Sequence, residues 1–516
     1  MAESSATDRS PRLVLLASVF AVAAAGLVYE LIAGTLSTYL LGGSVLVFSL
    51  VIGWFLSAMG AGAFVAQYIR DELERSFVAA EIALALFGGT SALILFSAFA
   101  LTAPGYPVAL AVVCGVVGAL VGIEIPLLLR ILEERASVRV AVSHVLALDY
   151  IGALIGSIAF PLLLLPQLGV VRSSAVLGLM NLAVALATMA WMRERVPRKR
   201  PLLIASGVTG VILTAVFVTG GRATTFIEDR LYTDQVIIAE SSSYQRIVVT
   251  KWREDVRLYL EGHLQFAMTD EYRYHEALVL PALASARAPV RVLILGGGDG
   301  LAARRILDTP GVQHLDLIDL DPRLTELFST HPMLATLNAG SLSDDRITVH
   351  NADAVGFLEN AESTWDVIIA DLPDPNDAAL SRLYAQGTFE MAMRRLADDG
   401  AFVTQATSPY HAPDAFWSIA ATLRAATANG PVPRSVHPYH AHIPSFGEWG
   451  FVLVTRQGVD PKTVSLPADT RFLTPEVLPG LFAFPADLAR RDVEVNRLGN
   501  AVLARYYSEG WRTYSE

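Results

Sequence analysis

Before residue 220 the chain is a series of apolar runs of about 20 residues separated by short polar breaks, and runs of that length leave few ways to fold. As a helix, each is long enough to cross roughly 30 Å of hydrocarbon. Seven such spans are expected: 13–33, 44–66, 77–98, 108–129, 140–165, 171–191 and 201–219. Arg9 and Arg12 precede the first, as they would in a signal peptide, but the run is longer than a signal core and further spans follow, so a retained helix is expected. Hydrophobic residues make up 53% of the chain and charged residues 17%, a balance that these runs account for, because the remainder alternates apolar and charged residues as a globular domain does. The expected organisation is a multi-pass helical transmembrane bundle over residues 1–220, a small β-strand domain over 221–269, and a parallel-sheet α/β domain with a C-terminal helical extension over 270–516.

The basic residues of the short loops set orientation. Arg9 and Arg12, then Arg70 and Arg75, then Arg130, Arg135 and Arg139, then Arg193, Arg195, Arg198, Lys199 and Arg200 all fall on the side of the N-terminus if the spans alternate. That side is the cytoplasm, and an odd number of spans carries the second half of the chain to the opposite face of the cell membrane. A substrate made in the cytoplasm would require the same face, so both placements stay open. Three carboxylates, Glu30, Glu124 and Asp149, fall inside apolar spans with His144 nearby; they are expected either to fix helix packing or to form an acidic path for a cation. Gly152 and Gly156, four apart, suit close helix packing.

A net charge of −11 without a long basic run excludes a nucleic-acid surface and suits cationic ligands. The single cysteine, Cys114, excludes a disulfide framework and a CxxC metal site. The histidines His437, His440 and His442 are expected to be loop residues, not metal ligands. Between Val236 and Phe266 the β-branched segments VIIAE, YQRIVVTKW and VRLYLEG predict short strands. From Asp270 onward, helix DEYRYHEALVLPAL is followed by strands alternating with helices, which predicts a doubly wound sheet whose ligands sit at the carboxyl ends of its strands.

The motifs cluster at those ends. The first strand runs into Gly296, Gly297, Gly298, Asp299 and Gly300, where glycines let a ligand approach the backbone. Asp299 inside that turn would repel a pyrophosphate and favours a cation. Some 20 residues on, LIDLD places Asp319 where a carboxylate holds a ribose diol, with Asp321 as a helix N-cap. NADAV places Asp353 at another strand end, suited to an adenine amino group or to capping the next helix. WDVIIADLPDP ends on Asp371 and Asp374, two carboxylates that a shared cation would stabilise.

In their order, YQ, LEGHLQ, DEYRYHE, GGGDG, IDLDP, DLPDP, LYAQGTF and IPSFGEWGF resemble the spermidine-synthase (polyamine aminopropyltransferase) family from Tyr244 to Thr455, and the tail RFLTPEVLPGLFAFP resembles its membrane-attached branch. The resemblance implies a Rossmann-like fold and transfer of an aminopropyl group from decarboxylated S-adenosylmethionine, a co-substrate and not a resident cofactor, to putrescine or a related diamine. It implies that Gln245, Gly296, Gly298, Asp299, Asp319 and Asp353 hold the donor and that Asp371 takes the proton of the attacking amine. Gln265, Tyr274, His275, Asp374 and Glu448 would serve the acceptor, with no metal. A homodimer or larger homo-oligomer embedded in a lipid bilayer is expected. The chain departs from the family in three places: Asp319 replaces glutamate, DLPDP replaces a DSSDP-type signature, and Phe446 replaces a tyrosine, with Glu448 two residues on. Two competing readings are a methyltransferase that uses S-adenosylmethionine, and a polyamine sensor or transporter that binds without turnover.

Overall fold

The computed structural model describes residues 9–41, 45–101, 105–133, 138–192, 196–232, 234–428 and 430–515. The chain forms two compact units, Met1–Thr250 and Lys251–Glu516. Arg135, Arg193 and Arg195, which the orientation argument uses, lie outside the described residues.

The first unit holds helices α1 (Arg9–Leu41), α2 (Val45–Ala66), α3 (Leu73–Leu101), α4 (Tyr106–Glu133), α5 (Val138–Ala159), α6 (Leu165–Trp191) and α7 (Lys199–Leu231). Among the described residues, six stretches are long and apolar enough to cross a membrane, and not the expected seven. The reason is local: Val142–Trp191 runs on for 50 residues and absorbs two expected spans. It is not one straight helix. A π-helical turn, Phe160–Leu164, joins α5 to α6, and Gly169 then breaks the helix with φ 70° and ψ 175°, a conformation open to glycine.

Close contacts fix the helix directions. On α4, Tyr106 bonds Ser37 of α1 at 3.1 Å and Val121 lies against Gly26, so α1 and α4 are antiparallel. Helix α3 runs parallel to α1, since Tyr29 abuts Gly88 and Tyr39 meets Phe96 at 6.1 Å. Helix α5 is also parallel to α1: a Cβ on Gly152 would lie 2.4 Å from Phe20 O, and one on Gly156 2.7 Å from Ala24 O. The two glycines therefore serve the close packing expected of them. Helix α6 runs against α3, with Ser174 Oγ donating to Gly89 O at 3.1 Å and Gly178 packed on Ala85, and against α7, with Val171 beside Gly220 and Leu182 beside Gly210. Since α5 follows α1 and α6 opposes α3, the chain reverses between α5 and α6.

Large apolar side chains such as Leu50, Trp54, Phe64, Val108, Leu154, Ile204 and Val211 face outward from these helices, while Val28, Ile32, Phe55, Leu84, Leu95 and Val117 form an inner core that also encloses Cys114. Of the three expected carboxylates, Glu124 is fully buried and Glu30 and Asp149 are half-buried. A fourth, Glu81 on α3, passed unremarked in the sequence and is fully buried.

Four strands follow, β1 (Gln235–Ser241), β2 (Arg246–Trp252), β3 (Asp255–Leu260) and β4 (His263–Ala267), in a sheet of that order. The division between the units falls inside β2. The second unit is built on β5 (Arg291–Gly296), β6 (His314–Asp319), β7 (Ile347–Asn351), β8 (Trp365–Asp371), β9 (Leu396–Gln405), β10 (Arg434–Ile443) and β11 (Gly447–Arg456), ordered β10-β11-β9-β8-β5-β6-β7. The five strands from β5 to β9 are parallel, as alternation with helices requires. The last two form a hairpin that adds antiparallel to β9, so the sheet is mixed where a purely parallel one was expected. His437, His440 and His442 accordingly lie on strand β10 and not in a loop. Leu293, Leu295, Ile368, Phe402, Phe416 and Val452 form a core between the sheet and the helix Pro413–Thr427, and the unit also contains α8 (Glu271–Ser285) and α9 (Leu301–Leu307).

Candidate active site

Parallel strands ending at one edge bring their C-terminal residues together. Gly296 of β5 pairs with Asp371 of β8, and the approach is so close that a Cβ on Gly296 would lie 2.0 Å from the Asp371 carbonyl oxygen. The turn that follows has positive φ at Gly296, Gly297 and Gly300. Gly298 turns its amide to Asp319 at the end of β6: its N–H donates to Asp319 Oδ2 at 2.9 Å, and a Cβ there would lie 2.5 Å from the same oxygen. Asp319 Oδ1 accepts from Asp321 N, while Asp321 caps the helix Pro322–Thr330 by accepting from Arg323 N, the capping role read for it. Asp299 Oδ1 accepts from Leu301 N at 2.8 Å. Asn338 and Ser341 hold the backbone of this turn through the carbonyls of Asp299 and Gly300.

Helix α8 faces this edge with six of the seven residues of DEYRYHE hydrogen-bonded through their side chains. Asp270, just before it, accepts from the N–H and hydroxyl of Ser445 in the β10–β11 turn. Arg273 donates to His442 O. Tyr274 donates to Asp371 Oδ1 at 2.7 Å, and its ring lies 6.0 Å from that of Phe446. His275 is buried, with Nδ1–H directed to both the carbonyl and the carboxylate of Glu271 at 2.9 Å. Glu271 is held in turn by Arg304 at 2.7 Å. Glu276 accepts three backbone N–H groups, from Arg471, Phe472 and Leu473.

Asp374 has its own cradle. Gln405 at the end of β9 donates to Oδ1 at 3.2 Å, Thr407 to Oδ2 at 3.3 Å, and the Tyr507 hydroxyl, from the C-terminal helix Val502–Ser515, bonds it as well. Gln405 also reaches the hydroxyl of Tyr384, from the LYAQGTF segment. Asn376 just beyond meets His263 Nε2 at 3.2 Å, bringing the β3–β4 turn beside DLPDP; Gln265, two residues on, donates to His263 O.

These carboxylates repel one another in poor solvent. Burial, and then the neighbouring charges of Asp371 and Asp319, push Asp299 up to about 6, against the pull of His275 and the Leu301 amide. Burial likewise pushes Asp319 and Asp374 up to about 6. Asp371 is raised by burial, offset in part by His275 and the Tyr274 hydroxyl. Burial works against a charged His275, yet Glu271, Asp371 and Asp299 together raise its pKa and so favour its charged form. Glu271 is drawn down to about 2 despite burial, because His275 and Arg304 flank it. The edge therefore has more negative charge than its own cations balance, and a cationic ligand would relieve it.

Two expected residues have partners within the protein, Asp353 in the capping role that its strand-end position left open. Asp353 caps the helix Ala354–Asn360 through Gly356 N at 2.9 Å and pairs with Arg382. Glu448 bonds His440 and lies 3.5 Å from His442, pairs that hold its pKa below the ordinary range. Gln245 belongs to the first unit, where its backbone bonds Ser242 in the turn before β2. The sequence reading did not single out Gln405, Thr407, Tyr507, Glu271 or Arg304. Gln405 could have been found by the strand-end rule that found Asp371; Tyr507, more than 130 residues from Asp374 in the chain, has no local signal.

A family model described as the spermine/spermidine synthase domain matches residues 271–465. The chain is 47% identical to polyamine aminopropyltransferase 1 of Ralstonia nicotianae, over 98% of each chain. It is 40% identical to a polyamine aminopropyltransferase of Leptospira interrogans, over 96% of this chain and 98% of that one. Among solved structures, a spermidine synthase in complex with the transition state analogue AdoDATO matches 48% of this chain and 85% of its own, at 23% identity and a TM-score of 0.44.

Proposed function

The chain belongs to the polyamine aminopropyltransferase family, and from that premise we propose that its second unit transfers the aminopropyl group of decarboxylated S-adenosylmethionine to a diamine such as putrescine. The observation that carries the assignment of roles is the strand-end cluster of Asp299, Asp319, Asp371 and Asp374, whose pKa values burial raises. The donor brings a sulfonium and an ammonium, and the acceptor a second ammonium, so the charges are complementary.

Asp319, fixed by two backbone N–H groups, takes the ribose hydroxyls, and the Gly296–Gly298 backbone lies along the nucleoside. Asp299 takes the donor's ammonium; a donor that kept its carboxylate would set like charge against it. Asp374, with Gln405, Thr407 and Tyr507, takes the far end of the acceptor. Asp371 receives the proton of the attacking amine. The amine lone pair then forms a C–N bond at the carbon next to sulfur, the C–S bond breaks, and its electron pair leaves with neutral methylthioadenosine. Because sulfonium is already an activated leaving group, alignment and a deprotonated amine are what the protein must supply. Tyr274 holds the Asp371 carboxylate in position. Gln265 and His275 keep the acceptor-side roles that the family resemblance implies for them, whereas Asp353 and Glu448 are engaged by Arg382, His440 and His442.

We also assign seven crossings to the helical unit. Fifty residues of helix would measure about 75 Å, more than twice the hydrocarbon thickness, and the antiparallel courses of α5 and α6 support a crossing on each side of Gly169. Purified protein in nanodiscs should release methylthioadenosine from the decarboxylated donor in the presence of putrescine, and bind S-adenosylmethionine more weakly. Tighter binding of S-adenosylmethionine would favour a methyltransferase and defeat the assignment.

A further inference from the structure

Among the buried polar side chains of the first unit are Tyr29 on α1, Glu81 on α3, Glu124 on α4 and Asn181 on α6, with exposures of 2%, 0%, 0% and 0%. None of their seven side-chain oxygen and nitrogen atoms has a hydrogen-bond partner. Glu81 and Glu124 act on each other electrostatically, and both act on the Tyr29 hydroxyl. Asn181 joins them by register. Gly178 packs on Ala85, α6 opposes α3, and one further turn along both helices sets Asn181 level with Glu81. Tyr29 and Asn181 can donate and the carboxylates can accept, yet each donor lies beyond hydrogen-bond reach of them. Buried groups that influence one another without satisfying one another mark, in an apolar bundle, a place for a further polar group.

We propose that Tyr29, Glu81, Glu124 and Asn181 form a second amine site, within the helical bundle, that binds a protonated ammonium end of an aliphatic polyamine. An ammonium offers three N–H donors that can span separated acceptors, and two carboxylates balance the charge of a diamine. Ala25, Leu84, Val121 and Leu127, three or four residues along the helices from Tyr29, Glu81 and Glu124, are buried and aliphatic and suit a methylene chain. Glu30 and Asp149 are half-buried and have no such link to the pair. The inference rests on the reading of the second unit as one that handles polyamines, extending it to the part of the chain outside the matched family domain.

Equilibrium dialysis of labelled spermidine against the full-length protein in nanodiscs tests it. The unaltered protein should bind two molecules per chain, the Glu81→Gln/Glu124→Gln variant one, with methylthioadenosine release retained. An Asp371→Asn/Asp374→Asn variant should lose release and keep one bound molecule. Tyr29→Phe, which keeps the ring beside Gly88, should weaken the second binding event about tenfold and serves if the double variant does not fold. One molecule per chain in the unaltered protein, or unchanged binding in the Glu81/Glu124 and Tyr29 variants, overturns the proposal. Unchanged amine binding with loss of a carboxylic-acid infrared band would mark the pair as a proton site and overturns it too. Methylthioadenosine release by the unaltered protein judges the second unit separately.

Discussion

At Asp371 two demands meet in one carboxylate: burial raises its pKa toward that of a useful base, and the Tyr274 hydroxyl holds the charged form in place. Asp371→Asn should lower the rate of methylthioadenosine release by about 10²- to 10⁴-fold, with donor binding retained in a calorimetric titration. Tyr274→Phe removes a donor that favours the ionised carboxylate, so the Asp371 pKa rises further and the acid limb of the kcat/KM profile should move to higher pH. At Asp299 the sign is fixed by a folded-state pKa of about 6, above the ordinary 3.8. Such a group contributes stability that is fully present below the unfolded value and is lost as pH rises through 6. Without donor, Asp299→Asn should therefore melt like the unaltered protein near pH 4 and at a higher temperature above pH 6. It should also bind the decarboxylated donor about tenfold more weakly. Equal melting at both pH values would show that Asp299 carries no such strain.

Among the elements, the glycine turn after β5 is the least tolerant of change. In Gly298→Ala the new methyl group would meet the Asp319 carboxylate, and in Gly296→Ala it would meet the Asp371 carbonyl at a backbone φ of 87°. The first should abolish donor binding in a protein that still folds, whereas the second should also lower the melting temperature. Helix α8 acts as a clasp, and Glu276→Ala would leave three backbone amides near residues 471–473 without their acceptor. A loss of about 1–3 kcal/mol per orphaned group is the scale, and proteolysis should then cut the tail near residue 470 first. The parallel strands and the GGGDG turn were legible in the sequence because period, glycine and strand-end position are local signals. The antiparallel β10–β11 hairpin was missed because its strand HPYHAHI has polar residues at half its positions, and its fixed turn comes from Asp270 gripping Ser445, a contact across 175 residues. Asp353 and Glu448 show the converse: their residue types were noticed, but only the fold revealed Arg382 and the two histidines that engage them.

For the molecule as a whole, the number of crossings decides which solution the second unit meets. The apolar runs of the sequence pointed to seven spans, whereas helix length counts six apolar stretches among the described residues, because one of them runs for 50 residues across the break at Gly169. A reporter fused after the last residue should therefore report the face opposite Arg70, Arg75 and Arg130, and a fusion at residue 168 should report that opposite face as well, with one at residue 197 on the basic side. Detection of the terminal reporter on the basic side would reduce the crossings to an even number. The one thiol of the chain, Cys114, is enclosed among the apolar helices of the first unit, and the whole of Lys251–Glu516 has none. The second unit therefore needs no oxidant to complete its fold and has no thiol for an oxidant to damage, so it would keep the same covalent form on either face of a bilayer.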